Sequence, residues 1–145
     1  MPTVNDQNLA HILRDLVSRL NRSLRKRVSN PEQLSVAEEN VVRLLLEQEE
    51  APPSELCAQL NISSQFMSQV LNRLEELDYV SRKPSTTDKR KSLVSMSKKG
   101  MQKIEQRRQA KEDLLATLIS KQYSRQEKEI IEKAILLLAR LYEER

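Results

Sequence analysis

The sequence predicts a mainly α-helical fold with a small β-hairpin, and three observations carry that expectation. Apolar residues recur at three- and four-residue spacing along most of the chain. One Gly and five Pro among 145 residues leave little room for irregular structure. Only near residues 79–96 does the period change, where "YVSRK" and "SLVSM" read as strands around the polar "PSTTDKRK".

Residues 8–28 carry Leu9, Ile12, Leu13, Leu16, Val17, Leu20, Leu24 and Val28 on one stripe, an amphipathic helix. Its other face carries Arg14, Arg19, Arg22, Arg25, Lys26 and Arg27. "SNP" at 29–31 ends it, because the residue before a proline is pushed out of helical geometry. In "LSVAEENVVRLLLEQ", Ser35 and Glu38 have capping-box spacing, and Val41, Val42, Leu45 and Leu46 form the expected buried stripe. "EEAPP" breaks that helix. "PSELCAQL" makes a short third one, with Pro53 in a first turn that needs no N–H. Asn61 stops it, since Asn enters the left-handed region readily. Ser63 caps a fourth helix with Met67, Val70, Leu71, Leu74 and Leu77 inward. Two short helices joined by a tight turn form a helix-turn-helix. After the hairpin, Ser97 opens a long helix to about Leu118, with Met101, Ile104, Leu114, Leu115 and Leu118 apolar. Ser124 and Glu127 cap a last helix holding Ile130, Ile131, Ala134, Ile135, Leu137, Leu138, Leu141 and Tyr142.

The predicted architecture is therefore a winged helix-turn-helix between terminal helices. The first, fifth and sixth helices carry more apolar face than a small head can cover. A second copy of the chain, in a C2 dimer, is the economical cover.

Composition removes most other function classes. One Gly excludes a phosphate-cradling glycine loop and a dinucleotide fingerprint. One His and one Cys exclude His-rich and thiolate metal sites and an intrachain disulfide, and no cofactor is expected. The acidic pairs Glu38-Glu39, Glu49-Glu50 and Glu75-Glu76 read as solvated helix surface, so catalysis is not expected. "MPTVNDQNLAHI" has no apolar signal core and no run reaches ~18 apolar residues, so a cytoplasmic protein with no membrane partner is expected.

Net charge is +4, but it is unevenly spread. From Arg82 to Lys99 the basic residues are 82, 83, 89, 90, 91, 98 and 99 against one acid, Asp88, which leaves the rest of the chain net negative. A local field of one sign on a near-neutral body points to a polyanion. A solvated surface loop is the alternative reading.

These residues resemble the multiple antibiotic resistance regulator (MarR) family through nearly the whole chain. "LSVAEENVVRLLL", "SELCAQLNISSQFMSQVLNRLEELDYVSRK" and "DKRKSLVSMSKKG" stand in that family's order and spacing, and the wing, Arg82 then Asp88-x-Arg90 then "S-x-x-G", is the most specific piece. The resemblance implies one MarR-type domain over 1–145, with dimerisation helices at 1–30 and 101–145 and a DNA-binding region at 34–100. It implies a homodimeric transcription regulator on pseudo-palindromic double-stranded DNA, expected to be a repressor, and a small-molecule effector whose identity is open. Three departures stand out. Asn61 and Asp78 occupy usual Gly positions, at about 1 kcal/mol of cost, and Cys57 replaces a small Ala. The N-terminal helix holds no Cys, so the peroxide-sensing branch does not fit.

With the fourth helix's apolar stripe inward, Ser64, Gln65, Ser68, Gln69 and Asn72 face outward, where amides and hydroxyls suit base edges. An ordinary polar helix face is the alternative. Phe66, at the stripe's edge, is expected to pack in the core. Arg90, with Lys89 and Lys91, is expected in a minor groove, and Arg82 and Asp88 are expected to belong to the same DNA-binding wing. Asp88 is expected to pair with Arg90 or Arg82 and fix the guanidinium direction, with a turn role as the other reading, and both can hold. Thr86, Thr87, Arg73, Lys98 and Lys99 are candidate phosphate contacts. Cys57 reads as a small buried hydrophobe, with redox response as the alternative. A helical protein–protein adaptor that has lost DNA binding is the rival from another class. His11 reads as a packed or exposed helix residue, with a place in a ligand cavity as the other option.

Overall fold

The computed structural model describes residues 1–28, 32–88 and 90–143. The "SNP" stop and Lys89 lie outside them. The order is α1 (Val4–Arg27), α2 (Val36–Gln48), β1 (Glu50–Ala51), α3 (Pro53–Leu60), α4 (Ser64–Glu76), β2 (Val80–Pro84), β3 (Ser92–Met96), α5 (Lys98–Gln122) and α6 (Arg125–Ala139). The mainly helical class with its hairpin is as the sequence predicts.

Contacts divide the chain into two units, Met1–Val28 with Gln109–Arg145, and Ser29–Arg108. In the first, α1 starts earlier than its apolar stripe. Thr3 and Asp6 form a capping box that the apolar pattern does not reveal. Ser124 and Glu127 cap α6 as their spacing predicts.

The second unit, hereafter the head, holds the core. Val41, Val42 and Leu45 of α2 pack with Leu56 of α3, Met67, Val70, Leu71 and Leu74 of α4, and Ala51, Tyr79, Val80 and Val94. Leu46, expected in this stripe, is exposed, and Leu44 is the partly buried neighbour instead. The α2 face that meets α3, α4 and the sheet is thus turned by part of a helical step.

The antiparallel sheet has the order β1-β3-β2. β3 pairs with β2 from Val80↔Met96 to Pro84↔Ser92, and with β1 through Glu50↔Ser95 and Ala51↔Val94. β1 lies within the stretch read as a helix breaker. Glu49, at a φ of 66°, turns the chain there so that two residues can pair with β3.

Both substitutions of glycine by a turn-tolerant residue do what their type allows. Asn61 is left-handed at φ 53°, with the Ile62 N–H donating across it to Cys57 O at 3.1 Å. Asp78, at φ 63°, sits in a Schellman closure of α4: the Tyr79 N–H donates to Leu74 O at 2.8 Å and the Asp78 N–H to Glu75 O at 3.0 Å.

Candidate nucleic-acid interface

α4 presents two chemistries. Ser63 Oγ accepts the Phe66 N–H at 3.1 Å and fixes the helix start. Behind that cap the apolar stripe is buried, while Ser64, Gln65, Ser68, Gln69 and Asn72 are exposed. Phe66 is also exposed, at 44%, so the expectation that it packs in the core fails. It lies about 100° around the helix from Met67, beyond the edge of the buried stripe.

The wing is closed by short-range bonds. The Ser85 N–H donates to Lys91 O at 2.9 Å and the Lys91 N–H to Asp88 O at 3.0 Å. Asp88 Oδ1 accepts the Arg90 backbone N–H at 3.0 Å, and the Ser85 and Thr87 hydroxyls lie 3.0 Å apart. Asp88 is thus a turn residue whose recorded bond is to backbone, where pairing with a guanidinium was expected. Arg90, Lys91, Thr86, Lys98 and Lys99 are exposed, with Lys99 3.7 Å from Asp78.

The guanidinium of Arg82 reaches across to α4. Its Nε lies 3.1 Å from Glu75, and an η nitrogen donates to Asn72 Oδ1 at 3.0 Å. One wing arginine therefore ties β2 to the polar face of α4 and holds the Asn72 amide.

Arg73 points the other way. It forks onto both carboxylate oxygens of Glu38 and donates to Glu32 O at 2.9 Å. Glu38 is buried, so this acid is not the solvated surface that the Glu38-Glu39 pair suggested. Glu39 is half-buried and accepts from Arg107 at 2.7 Å.

Beside them lies a polar cluster that sequence reasoning missed. Lys103 donates to Glu32 at 2.5 Å and to Leu77 O at 2.6 Å, with its ammonium 4.9 Å from the Tyr79 ring centre. Burial raises the Glu32 carboxyl, but the Lys103 and Tyr79 hydrogen bonds and the charges of Lys103 and Arg107 outweigh it, and the net shift is downward. The Tyr79 hydroxyl is pushed up to about 12, first by burial and then by the Glu32 carboxylate. These contacts fasten the start of α5 to the head. Gly100, Lys103 and Arg107 share a face at three- and four-residue spacing, which is the signal a helical wheel could have offered.

Cys57 is half-buried and packs against the core, and His11 is exposed. Among the described residues no group of three or more His, Cys, Asp or Glu could hold a metal ion. No helix among them is long and apolar enough to cross a membrane.

Residues 33–91 match the MarR family. The HTH-type transcriptional regulator MT0903.1 of Mycobacterium tuberculosis (strain CDC 1551 / Oshkosh) is 29% identical over 141 residues, 97% of this chain and 96% of that protein. Over its helix-turn-helix and wing this chain is similar to the MarR family. Transcriptional regulator Tm0710 from Thermotoga maritima has the same fold, with a TM-score of 0.76, 21% identity and coverage of 92% and 93%. A mutant MarR from E. coli also shares it, with a TM-score of 0.61, 23% identity and coverage of 90% and 96%. The relatives it resembles are transcriptional regulators, and these likenesses support a DNA-binding transcription regulator.

Proposed function

We propose that this chain is a MarR-type homodimeric repressor of a pseudo-palindromic operator, released by a small-molecule effector and working in the cytoplasm. One observation carries the DNA-binding surface: the exposed amides and hydroxyls of α4 stand in the same unit as the exposed basic wing, and Arg82 ties the two together. On this reading Ser64, Gln65, Ser68 and Gln69 read base edges in the major groove, and Asn72, held by Arg82, joins them at the rim. Arg90 and Lys91, with Lys89, enter a flanking minor groove, and Thr86, Thr87, Lys98 and Lys99 meet phosphates. Asp88 shapes the turn that presents Arg90. Arg73 drops out of the phosphate set, because Glu38 and the Glu32 carbonyl take its terminal nitrogens. Cys57 serves as packing.

The test is fluorescence anisotropy with duplex from the chain's own upstream region, from ~50 to 200 mM salt. Affinity should fall linearly on log–log axes, and Arg90→Ala should weaken binding and flatten the slope by about one. Equal slopes would remove Arg90 from the interface. Absence of binding to any duplex at the lowest salt would favour a protein–protein adaptor.

Dimerisation is supported by the apolar side chains left in water on α1 and α6. Leu9, Leu16, Val17, Ile130, Ile135 and Leu136 are each more than half exposed, and α6 buries no residue within the chain. Light scattering should give twice the chain mass, and Leu16→Glu with Ile135→Glu should give the monomer mass and weaken operator binding by at least tenfold. A monomeric wild type would refute the dimer.

A further inference from the structure

Phe66 is the chain's one phenylalanine, and the fold leaves it exposed at the start of α4. It is the third residue of α4, its N–H is taken by Ser63 Oγ, and its side chain stands 44% exposed. Met67 and Val70, on the buried stripe next to it, are 1% and 4% exposed. The other aromatic residue of the head, Tyr79, is fully buried. On its helix Phe66 has the exposed Gln69 as its i+3 neighbour and the buried Val70 as its i+4 neighbour, so it stands where the polar face meets the buried stripe.

A phenyl ring has no hydrogen-bonding atom, so it cannot read the donors and acceptors that the amides beside it read. In the major groove one base presents an apolar group, the 5-methyl of thymine. The first turn of a recognition helix is the part that comes closest to base edges. We infer that Phe66 is a specificity-determining residue that packs its ring against a thymine 5-methyl group in each half-site. The inference rests on the reading of α4 as the recognition helix and adds an apolar contact to its polar ones.

The experiment begins with enrichment of duplexes from a randomised pool by the wild-type dimer. Each thymine of the enriched duplex is then replaced in turn by deoxyuridine, which removes the methyl group and nothing else. At one thymine per half-site the wild type should lose about fourfold in affinity, the worth of one buried carbon. Phe66→Ala, with an unchanged melting temperature, should bind the thymine and uridine duplexes equally and keep the wild-type salt slope. Phe66→Leu retains an apolar side chain and should keep part of the preference; it also serves if the alanine variant folds poorly. The inference is overturned if uridine is tolerated at every position by wild type, or if Phe66→Ala remains as methyl-sensitive as wild type. It is overturned too if that variant weakens all duplexes by one common factor, the mark of packing on sugar. If the pool yields no enriched sequence, α4 does not read bases and the inference falls with that reading. An enriched sequence without a methyl effect defeats the inference alone.

Discussion

Gly100→Ala is expected to cost the head about 3 kcal/mol or more and to lower its melting temperature by on the order of 10 °C. Gly100 has no positive φ, so the requirement comes from space and not from backbone conformation. A Cβ there would lie 2.1 Å from Tyr79 O, 2.8 Å from its carbonyl carbon and 2.9 Å from its Cα. These are backbone atoms, and they are pinned. The Tyr79 N–H closes α4 onto Leu74 O at 2.8 Å, and Tyr79 O accepts the Ser97 N–H at 2.9 Å. Ser97 in turn caps α5 through the Gly100 N–H at 2.8 Å, while its hydroxyl donates to Asp78 O. A methyl group can be accommodated only if α5 backs away and these bonds break. Urea or thermal melts by circular dichroism measure the loss, and a variant melting within 2 °C of wild type would show that the crossing is looser than this.

Arg73→Ala should be nearly as damaging, at about 3 kcal/mol. The Glu38 side chain is 7% exposed and is held by the Arg73 fork, with Ser35 N–H donating to it at 3.3 Å. Removal of the arginine leaves a carboxylate facing the core without its countercharge, and removes a donor from Glu32 O. The penalty comes mostly from the abandoned charge, since the intact pair gains little over its desolvation. Glu38→Gln with Arg73→Met should therefore be more stable than Arg73→Ala, in denaturant melts analysed as a double-mutant cycle. A single variant as stable as wild type would mean that solvent, and not Arg73, satisfies Glu38. An arginine that looks like a phosphate contact in the sequence would thus show its loss first in folding.

Much of the fold was legible because its signals are local. The Ser35-Glu38 and Ser124-Glu127 boxes, Ser63, Asn61 and Asp78 each act through bonds to residues within five positions, and each adopts its expected geometry. The period-two strands and the basic run between them place the hairpin correctly. The errors follow a different rule. β1 has two residues and exists only because β3 offers an edge, so no window of sequence contains it. Glu38 has the helix-surface composition of its neighbour, and the partner that makes it buried lies 35 residues away. Arg82 was free to meet Asp88 by proximity in sequence, but the fold brings it to Glu75 and Asn72 on α4.

What the sequence by itself determined is the order of the helices and the wing hairpin, the caps and turn residues that bound most of them, and the resemblance to the MarR family. Caps, turn residues and hydrophobic period are written into stretches of a few residues, where chain connectivity guarantees the contact. The tertiary structure alone decided which charges face outward. A guanidinium on α4 or the wing has the same local sequence whether it meets a carboxylate or open water, and that choice depends on which distant oxygen the fold brings within 3 Å or so. It paired Arg73 and Arg82 with partners in the head, left Arg90 and Lys91 exposed on the wing, and left Phe66 exposed at the border of the polar face of α4.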